Sequence, residues 1–315
     1  MALALDAPAK VNLHLAEIGR RDDGYHEIDT VLHTLDLHDT LCAELVDASS
    51  GASGIALEVV SDFTMGLAVP GNADNLVWRA AEAFFAMADT AAAVRFHLHK
   101  RIPAGGGLGG GSSDAAAALR LLNELTGQPL SAGKLHALAA SLGADVPFFL
   151  VGGSQRGRGT GTELTALASA PEFHFALVLS PQGAATAAVY QNLAADLTIR
   201  SSEASIRGDL VVPDGSELAM PTGFHNDLES SALALHPELM NLRRDMESLG
   251  FPHACMSGSG STFFVAMQDA AECRDAMARL APLQQRYGVE LLQTKSSPTP
   301  LSESRMVRYP GSASN

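Results

Sequence analysis

The chain has 315 residues, 46% hydrophobic and 18% charged, a composition that buries a large core and excludes a disordered protein. Its 21 Lys and Arg against 35 Asp and Glu leave a net charge of −14, which argues against a nonspecific nucleic-acid binder, since that role needs a basic footprint. Any phosphate must therefore be held by local groups, such as backbone N–H, helix N-termini or single lysines, because the overall field repels anions. Residues 11–15 alternate, Val11, Leu13 and Leu15 on one side and Asn12 and His14 on the other, which predicts a half-buried strand. Further strands are predicted at 30–37, 41–46, 55–60 and 94–99. Their alternation favours a sheet with one wet face over a doubly wound parallel sheet. Residues 75–88 read as a helix with Leu76, Ala80, Ala83 and Phe84 on one face. Helices at 114–125 and 132–142 follow, the second capped by Ser131, and then a short buried strand at 146–151. Beyond these, the pattern predicts a strand at 173–179, a helix at 184–193, a loop-rich stretch at 198–223, and helices at 227–235 and 237–249. Pro237 opens the latter helix. A strand at 262–267, a helix at 270–280 and a strand at 289–294 complete a small α+β sandwich. The division expected is a first domain at 1–155, a second at 156–295 and a Ser/Pro-rich tail at 296–315.

The three cysteines, Cys42, Cys255 and Cys273, have neither metal nor disulfide spacing and read as buried thiols in a reducing cytoplasm. The N-terminus lacks a basic leader and no apolar run reaches membrane-spanning length, so a cytoplasmic protein with no membrane segment is expected.

The most informative stretch is PAGGGLGGGSSDAAAAL, residues 103–119. Glycines let backbone N–H groups approach an anion, and the N-terminus of the helix that follows adds unpaired donors. A Cβ at Gly107 or Gly109 would intrude on the phosphate path or demand a forbidden φ. The alternative is a flexible loop before a well-capped helix. The run is not a Walker loop, since Gly133-Lys134 is followed by Leu135, and the Rossmann version would follow the first buried parallel strand. The protein-kinase triads H-R-D and D-F-G are absent.

This signature resembles that of the GHMP kinases, which phosphorylate small molecules with ATP. Three more blocks carry the resemblance: PAKVNL at 8–13, GADVPFF at 143–149 and SGSGS at 257–261. With GYHE at 24–27, the chain is similar to the branch acting on a cytidine diphosphate ester of methylerythritol. The resemblance implies an α+β, two-domain GHMP kinase fold: a ribosomal-protein-like N-terminal α/β domain, a C-terminal ferredoxin-like sandwich, and the active site in the cleft between them. It implies ATP as co-substrate, with magnesium expected, bound by Pro103, Ala104, Gly105, Gly106, Gly107, Leu108, Gly109, Gly110, Gly111, Ser112 and Ser113. No carboxylate cluster marks metal ligands. Asp145 becomes the expected base for the acceptor hydroxyl and a substrate ligand, with Lys10 as its cationic partner. Asn12 lies on the same strand face as Lys10. Otherwise Asp145 reads as a helix-end cap and Lys10 as an edge lysine. Tyr25 and His26 sit in a Gly-led turn able to present rings to cytosine. By resemblance, Tyr190 would stack on the other side of the base, and Thr186 would line the polyol or phosphate pocket. Otherwise Tyr25 and Tyr190 are half-buried core tyrosines. The expected partner is this small molecule, with no nucleic acid or membrane, for a monomer or homodimer. A GHMP kinase for mevalonate or homoserine and a nucleic-acid module of the same fold are the rivals.

Overall fold

The computed structural model describes residues 2–46, 54–63, 67–90, 92–167, 172–197, 224–297 and 306–309. The first half begins with a long antiparallel hairpin of β1 (Ala2–Arg20) and β2 (His26–Val46). The two strands expected at 30–37 and 41–46 are one, since no Gly or Pro interrupts them. Register shifts at Pro8/Lys10, Asn12/His14 and Glu17/Gly19 bulge the pairing, and bulges re-aim side chains. The chain continues through β3 (Ile55–Ser61), α1 (Leu76–Ala88), β4 (Ala93–Lys100), α2 (Gly110–Leu125), α3 (Ala132–Leu142), α4 (Val146–Val151), β5 (Ser154–Arg158) and β6 (Glu163–Ala166). Helices α1 to α4 cover one face of the sheet, packed on Leu5, Leu41, Phe96 and Leu98.

Local chemistry explains the helix boundaries. Asn75 caps α1, whose buried residues are Val77, Ala80, Ala81 and Phe84, a face turned slightly from the expected one. Ser131 caps α3. Residues 146–151 form helix α4 and not the strand expected: Pro147 sits in its first turn, where a missing N–H and fixed φ suit a helix. A short apolar run buried from every side carries no period to separate the two states.

The second half holds β7 (His174–Leu179), α5 (Thr186–Leu197), β8 (His225–Asn226), α6 (Asp227–Leu235), α7 (Pro237–Ser248), β9 (Cys255–Met256), β10 (Phe263–Met267), α8 (Ala270–Leu280), α9 (Pro282–Tyr287) and β11 (Glu290–Lys295). Its antiparallel sheet runs β11-β7-β10-β9, the ferredoxin-like order. The loop expected at 198–223 lies outside the described residues.

β5 pairs with β2, so the boundary expected after residue 155 falls inside a strand of the first sheet. Three connections tie the halves together. β8 pairs with β1 at His14 and Leu15, and β12 (Val307–Tyr309), from the tail, pairs with residues 2–4 of β1. An apolar cluster joins Val11, Leu13, Val31 and Leu35 to Phe173, Phe175, Leu177 and Phe264 of the second half. The wet face expected for β1 is absent there: Lys10 and Asn12, on its other side, are each only 3% exposed.

Candidate active site

A cavity of about 690 Å³ opens between the halves, within the range of ligand sites. The glycine run forms one wall. Gly107 and Gly109 have φ of 79° and 72°, the left-handed region that favours glycine. A Cβ on Gly107 would lie 2.2 Å from the carbonyl oxygen of Ser257, and one on Gly109 would lie 2.8 Å from the Phe149 ring. These two glycines therefore make room for neighbouring protein groups at the cavity wall. The two glycine motifs interlock: Ser257 Oγ donates to the Gly107 carbonyl at 3.0 Å, and the Thr262 N–H to that of Gly106 at 3.2 Å. Helix α2 starts at Gly110, inside the run, so its first-turn N–H groups stand at the cavity without intrahelical acceptors.

β1 enters the same wall. The Lys10 N–H donates to the Leu108 carbonyl at 3.0 Å, strapping the strand to the loop. Lys10 Nζ donates to Asn12 Oδ1 at 2.5 Å, Asn12 Nδ2 to Thr30 Oγ1 at 2.9 Å, and that hydroxyl to the His14 carbonyl at 2.7 Å. Nζ lies 3.7 Å from Asp145 Oδ2, whose side chain is 38% exposed. Asp145 stands at the N-cap position of α4, yet its side chain caps nothing and is left free for the cavity. Burial lowers the Lys10 pKa from its ordinary value, and the Asp145 carboxylate pushes it back up. The arrangement offers a cation, a carboxylate and a row of N–H donors around one volume, the kit for phosphoryl transfer to an alcohol.

The opposite wall is α5, with Thr186 and Tyr190 four residues apart on the cavity face. Thr186 Oγ1 lies 2.8 Å from Ser259 Oγ of the second glycine motif. His26 is not in the wall itself but packs behind Tyr190, ring centroids 4.9 Å apart. Tyr25 is 65% exposed at the hairpin turn and outside the wall. Pro103 to Ser112 all line the cavity, whereas Ser113 is buried in α2 away from it.

Sequence reasoning assigned no role to Thr30, Ser259, Lys100 or Asp114, all in the wall. Lys100 ends β4 just before the glycine run, with Nζ donating to Asp39 Oδ2 and, at 2.7 Å, to Asp114 Oδ2. Asp39 also accepts the N–H groups of Arg101 and Ile102, so it is the better-held charge. Asp114 has no partner for Oδ1 among the described residues, and burial pushes its carboxyl up to about 7 against the pull of Lys100. The two carboxylates raise Lys100 despite burial. The position of Lys100, a lone lysine at a strand end entering a glycine loop, was the signal available.

No group of three or more His, Cys, Asp or Glu able to hold a metal exists among the described residues. Magnesium bound chiefly through nucleotide phosphates needs only one or two protein oxygens. The half-buried Ser112 hydroxyl, in the first turn of α2, and the Asp145 carboxylate, which lines the cavity beside Lys10, fit that requirement.

The comparisons with known proteins agree with this geometry. A model described as the GHMP kinases N-terminal domain matches residues 75–153, and one described as GHMP kinases C-terminal matches 214–283. The 4-diphosphocytidyl-2-C-methyl-D-erythritol kinase of Pelotomaculum thermopropionicum is 36% identical over 280 residues, 89% of this chain and 94% of its own. A crystal structure of a 4-(cytidine 5'-diphospho)-2C-methyl-D-erythritol kinase aligns at 34% identity and TM-score 0.68, covering 93% of this chain and 99% of that one. L. major mevalonate kinase in complex with R-mevalonate, at 15% identity and TM-score 0.64, shares the fold. With such identity across most of its length and both halves matched, the chain belongs to the GHMP kinase family, on the branch of the 4-diphosphocytidyl-2-C-methyl-D-erythritol kinases.

Proposed function

We propose that this protein transfers the γ-phosphate of ATP to the 2-hydroxyl of 4-diphosphocytidyl-2-C-methyl-D-erythritol, giving the 2-phosphate and ADP, in the non-mevalonate route to isoprenoid precursors. The observation that carries the reading is the Lys10–Asp145 pair, 3.7 Å apart, in a cavity between the glycine loop and α5. The hydroxyl proton passes to Asp145 as the oxygen bonds to the γ-phosphorus and the bond to the β,γ-bridging oxygen breaks. Lys10 pairs with Asp145 and offsets charge on the transferring group. The loop and the α2 N-terminus hold the nucleotide phosphates by N–H donors, which a chain of charge −14 requires. Magnesium, held by the phosphates with Ser112 and Asp145, would neutralise phosphate charge. Tyr190, with His26 behind it, takes the cytosine end, and Thr186 the polyol or phosphate.

An ADP-release assay offering the cytidine ester, mevalonate and homoserine in turn tests this. Turnover of the cytidine ester alone is expected. Turnover of mevalonate or homoserine alone would overturn the substrate and leave the kinase family standing.

A further inference from the structure

The reaction as described makes no use of Glu17, near the end of β1. Its side chain is 1% exposed. Oε1 accepts a hydrogen bond from His26 Nδ1 at 2.5 Å, while Oε2 is buried with no partner among the described residues. A carboxylate taken out of water with one oxygen unsatisfied costs stability. The fold therefore gains little from Glu17 for itself. A bulge between Glu17 and Gly19 interrupts the β1–β2 register at this point, where strand geometry re-aims side chains.

The contact leads into the site. Glu17 comes from β1, His26 is the first residue of β2, and Tyr190 is on α5. The His26 and Tyr190 rings lie 4.9 Å apart at 44°, and Tyr190 forms cavity wall together with Asp145. Three side chains from three elements thus form one line from a buried carboxylate to the wall.

We infer that Glu17 is a positioning residue for the nucleoside end of the substrate, fixing the hydrogen of His26 on Nδ1 and the His26–Tyr190 ring pair against the cavity. This rests on the reading of that end as the cytosine pocket. A carboxylate only accepts, so Nδ1 carries the hydrogen and, in the neutral ring, Nε2 is left an acceptor. His26 stands behind Tyr190 and not in the wall, so Glu17 acts through the placement of the Tyr190 ring, without touching substrate.

Glu17→Val, Glu17→Gln and His26→Ala separate the possibilities. Glu17→Val should raise KM for the cytidine ester about tenfold, the size of one misplaced hydrogen bond or stack, with KM for ATP and kcat within about twofold. Nitrogen-15 spectra should show His26 losing its single Nδ1–H form. The thermal midpoint should not drop, because a buried oxygen with no partner among the described residues has gone. Glu17→Gln, whose amide oxygen still accepts from Nδ1, should recover most of the wild-type KM. A wild-type KM in Glu17→Val while His26→Ala raises it would overturn the inference. So would a parallel rise in both KM values with a lowered midpoint, the mark of a purely structural residue. Unchanged KM in His26→Ala would refute the cytosine pocket, and this inference with it.

Discussion

Replacing Asp145 by Asn keeps the shape of the side chain and removes its charge and basicity. Two consequences are separable. As the acceptor of the hydroxyl proton, Asp145 should contribute about 10²–10⁴ to kcat, the range of a positioned general base. As the partner of Lys10 at 3.7 Å, it also stabilises a buried cation. At an effective dielectric of about 20 that pair is worth roughly 4–5 kcal/mol. Asp145 is 38% exposed, so solvent screening cuts the figure to about 1 kcal/mol. Burial already holds the Lys10 pKa below 10.5, and Asp145 is what raises it. The cation needed for transfer is therefore lost as pH rises through a lowered pKa. Asp145→Asn should move the alkaline fall of kcat to lower pH. The measurement is kcat and both KM values from neutral to alkaline pH, with Lys10→Ala and the double variant for comparison. The losses should be less than additive, because each residue works through the other. A kcat within threefold of wild type and an unmoved alkaline limb would refute both the base role and the coupling.

Gly107→Ala should lower the thermal midpoint and raise KM for ATP together, since left-handed φ costs an L-residue about 1–2 kcal/mol and the new Cβ meets the Ser257 carbonyl. Loss of ATP binding at unchanged stability would contradict this packing account. Asp114→Asn should flatten the pH dependence of stability. The Asp114 carboxyl is raised from 3.8 to about 7, so its stabilisation is present at acid pH and lost as pH rises towards 7. The variant should gain on wild type in unfolding free energy over that window, and a difference independent of pH would count against the buried carboxyl. Tyr190→Ala should raise KM for the cytidine ester by about tenfold or more through lost stacking, with Tyr190→Phe near wild type. Equal rises in both variants would show that the hydroxyl, not the ring, does the binding.

Local patterns were legible in the sequence. Alternation at residues 94–99 reports β4, whose Val94, Phe96 and Leu98 are buried while Arg95 and His97 are exposed. Helix α8 was delimited at both ends, with Asp269 as its cap. Failures came where tertiary surroundings decide. Phe148 and Phe149 are buried on all sides, so no period marks α4 as a helix. The β5–β6 hairpin carries glycines and a short polar run, and it exists by pairing with β2. In the site, the glycine loop announces itself, being local. Lys10 and Asp145 are joined only by the fold, and the family resemblance named them before geometry did. The Lys100–Asp39–Asp114 cluster and the Glu17–His26 contact depend on register and burial, which no single stretch of sequence displays.

Strand β1 has a bearing on how the molecule is assembled in time. Beside β2, its edges are completed by β8 and β12, and the Gly107 carbonyl is held by the Ser257 hydroxyl of the second glycine motif. Each of these contacts closes a loop of a large part of the chain, and such closures are the slow, entropically costly ones. A growing polypeptide that has already formed the hairpin and α1 to α4 holds Lys10, Asp145 and the glycine run, but lacks the second motif that pins them. Catalytic competence is thus a late product of folding, reached only when distant segments dock. Heating should remove it in the same cooperative step that separates the halves.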